Sequence, residues 1–145
     1  MWHENKKEMN ELIGSILRLD KDHCAMKVTQ KYYKISINDY YELETHVMFD
    51  DAFCCMHGCI GSCNHKDSEV CINEYVATFV ESMQENIKNL GILDLPPTKY
   101  PTPYGGQLVW NLPGKTRLTV HLKDKNKIRH RKRWSQVYLI ILLLI

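Results

Sequence analysis

The chain has no run of apolar residues near the roughly 20 that a membrane-crossing helix needs. Its nearest approach is VYLIILLLI at 137–145, nine residues long. The amino-terminal residues turn polar almost at once, so no secretory signal peptide is expected. Without one, the six cysteines are not expected to form a disulfide framework. Five of them crowd into CCMHGCIGSCNHKDSEVC (54–71) with spacings C-x₃-C-x₃-C-x₇-C. Those spacings do not give the paired C-x₂-C arms of a structural zinc site, and four-ligand zinc coordination is chemically allowed but weakly signalled. A tolerated surface loop is the stronger reading of 54–72. The chain also has no acid after Asp124.

The composition that remains is that of a globular protein. Apolar residues make up 44% and charged residues 25% of 145, enough for one ordinary domain with a core. The formal charge of +2 hides a sharp asymmetry. Residues 115–133 hold nine Lys or Arg against Asp124 alone, for +8, which leaves −6 for residues 1–114. A concentrated cationic segment on an acidic body calls for an anionic partner such as phosphate, nucleic acid or lipid headgroups.

The segment 99–136 organises the chain. It opens with Tyr-Pro-Thr-Pro-Tyr-Gly-Gly (100–106), which reads as a rigid, turn-forming entry. Strands are predicted at 107–112 and 117–122, joined by the turn dipeptide Pro113-Gly114. In the second strand Leu118, Val120 and Leu122 alternate with Arg117, Thr119 and His121, the pattern of a half-buried strand. A basic helix is expected from about Lys125, with Trp134, Val137, Tyr138 and Ile141 on its core side.

Upstream, Met9, Leu12, Ile13, Ile16 and Leu17 recur at helical spacing and predict an amphipathic helix over 5–19. A second short helix is expected around 23–33. A strand is predicted to end at Asp50-Asp51, with Leu43, Thr45, Val47 and Phe49 alternating with Glu42, Glu44, His46 and Met48. Another helix is predicted over 73–90, with Val76, Phe79, Val80, Met83, Ile87 and Leu90 on one face and Gly91 as its carboxyl-terminal stop. The order, a partial strand at 1–4 followed by α-(α)-β-α-β-β-α, predicts an α/β sheet with helices on its faces. In open α/β sheets, ligands collect beyond the carboxyl ends of strands, which makes Asp50 and Asp51 candidates for ligand contact. The plainer alternative is a solvated strand end or a helix N-cap.

The residues YPTPYGGQLVWNLPGKT, followed by HLKDKNKIRHRKRWSQV, resemble the catalytic domain of animal-type chitin synthases, which are processive family-2 glycosyltransferases. MWHE at 1–4 and ETHVMFDDAF at 44–53 resemble that family's first and second nucleotide-binding strands. The resemblance covers most of 1–138, diverging at 54–72. It implies an incomplete GT-A-like (Rossmann-like) fold, with 1–138 as the donor-binding front half of a glycosyltransferase domain and 139–145 as a truncated apolar tail. It further implies transfer of N-acetylglucosamine from UDP-N-acetylglucosamine to a growing β-1,4 chitin chain, in a membrane enzyme whose domain faces the cytoplasm.

On that reading Trp2, His3 and Glu4 meet uracil and ribose, and Asp50 and Asp51 add acceptors. Lys123, Lys125, Lys127 and Arg129, with Arg133 one turn on, neutralise the diphosphate. The family's Asp-rich metal motif, catalytic-base motif and acceptor motif are absent from these residues. No catalytic or metal-ligating residue is therefore assigned, and the divalent cation (Mg or Mn) is expected of the full-length enzyme only. The chain is expected to bind donor without transferring it. Two other readings of the basic segment 123–133 are a nucleic-acid-binding helix and a peripheral membrane element. The acidic balance of 1–114 argues against nucleic acid as the partner.

Overall fold

The computed structural model describes residues 5–35, 42–57 and 70–128. The element order is α1 (Lys6–Tyr33), β1 (Glu44–Phe49), β2 (Phe53–Cys55), β3 (Val70–Ile72), α2 (Glu74–Asn89), β4 (Thr98–Thr102), β5 (Gly105–Asn111) and β6 (Arg117–Lys123). The strand expected at 1–4, the basic helix beyond 128 and the tail at 139–145 lie outside the described residues.

The amino-terminal helix is one element of 28 residues, not a helix over 5–19 with a separate one around 23–33. Asn5 caps it by accepting from the Glu8 amide, and the Glu8 side chain accepts from the Asn5 amide in return. At its far end Lys34 takes a left-handed conformation (φ 52°) and closes the carbonyl of Gln30. The first half buries Met9, Ile13, Ile16 and Leu17. Past them the apolar stripe thins, and Asp20 and His23 are the inward residues.

Helix α2 matches its predicted span closely. Asn73 is its N-cap and accepts from the Val76 amide. Gly91 (φ 80°) donates to Lys88 and Ile92 donates to Ile87, a Schellman ending that needs φ > 0 at the glycine.

The four long strands form one mixed sheet in the order β1-β6-β5-β4. β1 runs parallel to β6, with Val47 opposite Val120 and Phe49 opposite Leu122. β5 pairs antiparallel with both β6 and β4. Of the run 100–106 expected as a turn-forming entry, residues 100–102 belong to strand β4, Pro103-Tyr104 form the turn, and Gly105-Gly106 begin β5. Pro101 is tolerated because β4 stands at the sheet margin, where a missing N–H breaks no ladder on its open side. Gly105 must be glycine, since a Cβ there would run into the Leu122 carbonyl.

Leu108, Trp110, Leu118, Val120 and Leu122 share one core with α1 and α2. The Phe79 ring contacts Phe49 and Trp110 edge-on at 5.7 and 6.3 Å, tying α2 to β1 and β5. The alternation in β6 sets which residues meet the helices, but it does not divide buried from exposed. Thr119, His121 and Lys123 on the other face are buried as well.

A clamp fixes α1 to the β5–β6 turn. The buried Asp20 carboxylate accepts from the Gly114 amide at 2.6 Å, the Thr116 amide at 3.0 Å and the Thr116 hydroxyl at 2.7 Å. The turn of LPGKT thus wraps its donors around an acid 94 residues upstream. Gly114 leaves the room, because a Cβ would strike the Asp20 backbone carbonyl.

Candidate functional site

Because β1 and β6 are parallel neighbours, their carboxyl ends arrive together. Asp50 and Asp51 follow the last residue of β1, while Lys123 ends β6. The backbone stitches the ends: the Ala52 amide donates to the Lys123 carbonyl at 3.0 Å, and the Asp124 amide donates to the Tyr104 carbonyl at 2.8 Å. Asp124 then accepts from the Asn126 amide on its side chain and from the Lys127 and Ile128 amides on its carbonyl, starting a turn.

The side chains assigned to a donor sugar nucleotide meet one another here. Lys123 Nζ lies 2.7 Å from Asp50 Oδ1, and Lys125 Nζ lies 3.3 Å from Asp51 Oδ2. The two pairs differ in setting. Lys123 is 1% exposed while the Asp50 side chain is 40% exposed, so this pair has a dry end and a wet end. Lys125 and Asp51 are each about one-third exposed. Asp51 is also held through its backbone, whose carbonyl accepts from the Asn73 side chain. One residue therefore caps α2 and fixes the acid at the end of β1. Lys127 follows in the same turn. Trp2, His3, Glu4, Arg129 and Arg133 lie outside the described residues.

A second polar group on the same sheet face was not singled out by sequence. His46 Nδ1 and His121 Nε2 are 3.0 Å apart, and His121 Nδ1 meets the Tyr104 hydroxyl at 2.8 Å. Gln107 Nε2 donates to that hydroxyl at 2.7 Å. Glu44 stands 3.6 Å from His46 Nε2 at the other end. With Gln107 donating to the Tyr104 hydroxyl, that hydroxyl can donate to His121 Nδ1 and His121 Nε2–H to His46 Nδ1, a direction set by the tautomers of the two imidazoles. Burial, reinforced by His46, pushes His121 down to about 4, so the imidazole is neutral near pH 7. Sequence did carry a signal: His46 and His121 occupy the same alternating set as Met48 and Thr119, the face taken to be solvated.

Among the described residues no three Cys, His, Asp or Glu side chains are grouped to hold a metal ion. Asp50 and Asp51 each face a lysine instead. The divalent ion implied for the full-length enzyme has no grouped donor set among the described residues. Also among the described residues, no helix is long and apolar enough to cross a membrane.

These features define a mixed α/β unit, consistent with a Rossmann-like fragment, whose charged residues gather where a parallel strand pair ends. No protein-family model and no solved structure matches the chain. Curated proteins do. The chain is 42% identical to chitin synthase chs-2 of Caenorhabditis elegans over 147 aligned residues, and 40% identical to a chitin synthase of Meloidogyne artiellia over 144. It is 38% identical to chitin synthase chs-1 of Caenorhabditis elegans over 144. Each alignment takes in 99% of this chain but only 7–10% of the relative. The chain belongs to the animal-type chitin synthases, as one segment of that family's sequence.

Proposed function

We propose that this segment is the donor-side part of a GT-A-like domain in a membrane-embedded chitin synthase. The whole enzyme transfers N-acetylglucosamine from UDP-N-acetylglucosamine to the end of a β-1,4 chain, with a divalent cation supplied by residues beyond this segment. The observation that carries this reading is the arrival of Asp50, Asp51, Lys123 and Lys125 at the joined carboxyl ends of β1 and β6. That is where open α/β sheets take ligands.

The roles divide by exposure. Asp50 presents its wet side to the donor, as an acceptor for ribose or base hydroxyl and N–H groups, while the buried Lys123 keeps it aimed. Lys125 sits on a longer, more exposed contact. It is the cation that exchanges Asp51 for the donor diphosphate, joined by Lys127 from the same turn. Releasing Asp51 frees a second acceptor as the diphosphate arrives. This division revises the simpler expectation that the acids and the lysines each act on the ligand independently.

The test is kinetic and uses the full-length enzyme. Asp51→Ala and Lys125→Ala are each expected to raise the KM for UDP-N-acetylglucosamine by roughly 10- to 100-fold, the loss of one charge-assisted hydrogen bond of about 1.5–3 kcal/mol. Unchanged KM in both variants would return the cluster to a structural strand-end role. The 145-residue chain alone is expected to make no polymer, with or without magnesium or manganese.

A further inference from the structure

We propose that Cys54 and Cys71 form a reversible disulfide that locks the β2–β3 hairpin beside the strand-end cluster. The two cysteines are direct cross-strand partners in the antiparallel β2–β3 pair. Facing residues of such a pair have Cα atoms about 4.5–5.5 Å apart, inside the range of about 4.4–6.8 Å that a disulfide accepts. Their sulfurs already meet at 2.9 Å. The neighbouring thiol does not compete, since strand alternation turns Cys55 to the other side, where its sulfur accepts from the His57 amide.

The pair is also open to reagents, with Cys54 exposed and Cys71 half-buried. Its hydrogen bond with Cys71, then burial, pushes the Cys54 thiol up to about 11. This pairing was not expected from the sequence, where the lack of a signal peptide argued against disulfides. Exposed disulfides are the readily reduced, regulatory kind, and such a bond is compatible with a reducing compartment.

The oxidant is of the peroxide class. One sulfur of the pair, as thiolate, attacks a peroxide oxygen; the O–O bond breaks, hydroxide leaves and takes up a proton as water, and that cysteine becomes a sulfenic acid. The partner sulfur then attacks the sulfenic sulfur. The S–S bond forms, the S–O bond breaks, and water leaves with the partner thiol's proton. Two thiols are oxidised and hydrogen peroxide is reduced to two waters. The bond would bridge a hairpin whose strands lead directly from Asp51-Ala52 and into Asn73, the residue that holds Asp51.

The experiment uses the 145-residue chain treated with a small molar excess of hydrogen peroxide, followed by thiol blocking, mass measurement and peptide mapping. In native buffer the chain is expected to lose two of its six thiols first, with Cys54 joined to Cys71, and reduced glutathione is expected to restore both. In denaturing urea that preference should vanish, because short loops then favour Cys54, Cys55, Cys59 and Cys63 pairing among themselves. Cys54→Ser and Cys71→Ser should each abolish the early loss, while Cys59→Ser with Cys63→Ser should leave it intact. A first disulfide between any other pair in native buffer, the same pair distribution in buffer and urea, or no early loss would overturn the proposal.

Discussion

Lys123 Nζ sits 2.7 Å from Asp50 Oδ1, with the ammonium almost wholly buried and the carboxylate facing water. Such a pair is unequal when broken. Removing the acid takes an anionic partner from an ammonium that water cannot reach; removing the lysine leaves an acid that water can solvate. Asp50→Ala is expected to destabilise the chain by about 2–4 kcal/mol and Lys123→Met by about 1 kcal/mol. Urea unfolding of the two variants checks the order. Equal losses, or a larger loss for Lys123→Met, would contradict the wet-and-dry description of the pair.

Asp20 is the anchor of the LPGKT turn through three hydrogen bonds from Gly114 and Thr116. Asp20→Ala leaves two buried backbone amides without their acceptor, and the expected cost is about 2–4 kcal/mol. Thr116→Val keeps the amide bonds and loses one hydroxyl bond, for about 1 kcal/mol. Thermal or urea unfolding reads both. An Asp20→Ala chain as stable as the parent would remove the clamp from the description of the fold.

The His46–His121–Tyr104 chain makes stability depend on pH with a definite sign. His121 is lowered to about 4 from an ordinary 6.5, so between these values the unfolded chain binds the proton and the folded chain does not. Stability is therefore greatest above about pH 6.5 and falls as the pH drops toward about 4, by up to roughly 3 kcal/mol from this residue. His121→Gln removes that titration. The difference in unfolding midpoint between parent and variant should shrink or reverse over this window, whereas a constant difference would mean that His121 titrates normally.

How much of this was visible in the sequence varies by element, for physical reasons. Helix α2 was legible because its apolar stripe is continuous and both ends carry chemical punctuation, Asn73 and Gly91. Helix α1 was legible as two pieces, 5–19 and around 23–33, with its continuity past Leu19 hidden. Beyond it the inward residues are Asp20 and His23, and Val28, Tyr32 and Tyr33 are exposed, so the periodicity ends long before the hydrogen bonds do. β4 was hidden by Pro101 and by Pro103 just after it, which read as turn formers unless the strand is known to lie at a sheet margin. In β6, alternation chose the helix-facing residues correctly. It missed the burial of His121, and that of Lys123 lay just past the predicted strand, because burial on the other face depends on partners far along the chain: Tyr104 and His46 for one, Asp50 for the other. The charges of the candidate site were each named from sequence, but their mutual pairing follows from the parallel register of β1 with β6, which no local pattern encodes.

The most direct measurement is photoaffinity labelling of the full-length enzyme with a photoreactive uridine-diphosphate sugar, followed by mapping of the attached peptides. Label on peptides containing Asp50–Ala52 or 123–127, displaced by excess UDP-N-acetylglucosamine, is the result expected if the donor sits at the joined ends of β1 and β6. Displaceable label confined to peptides outside both stretches would contradict it.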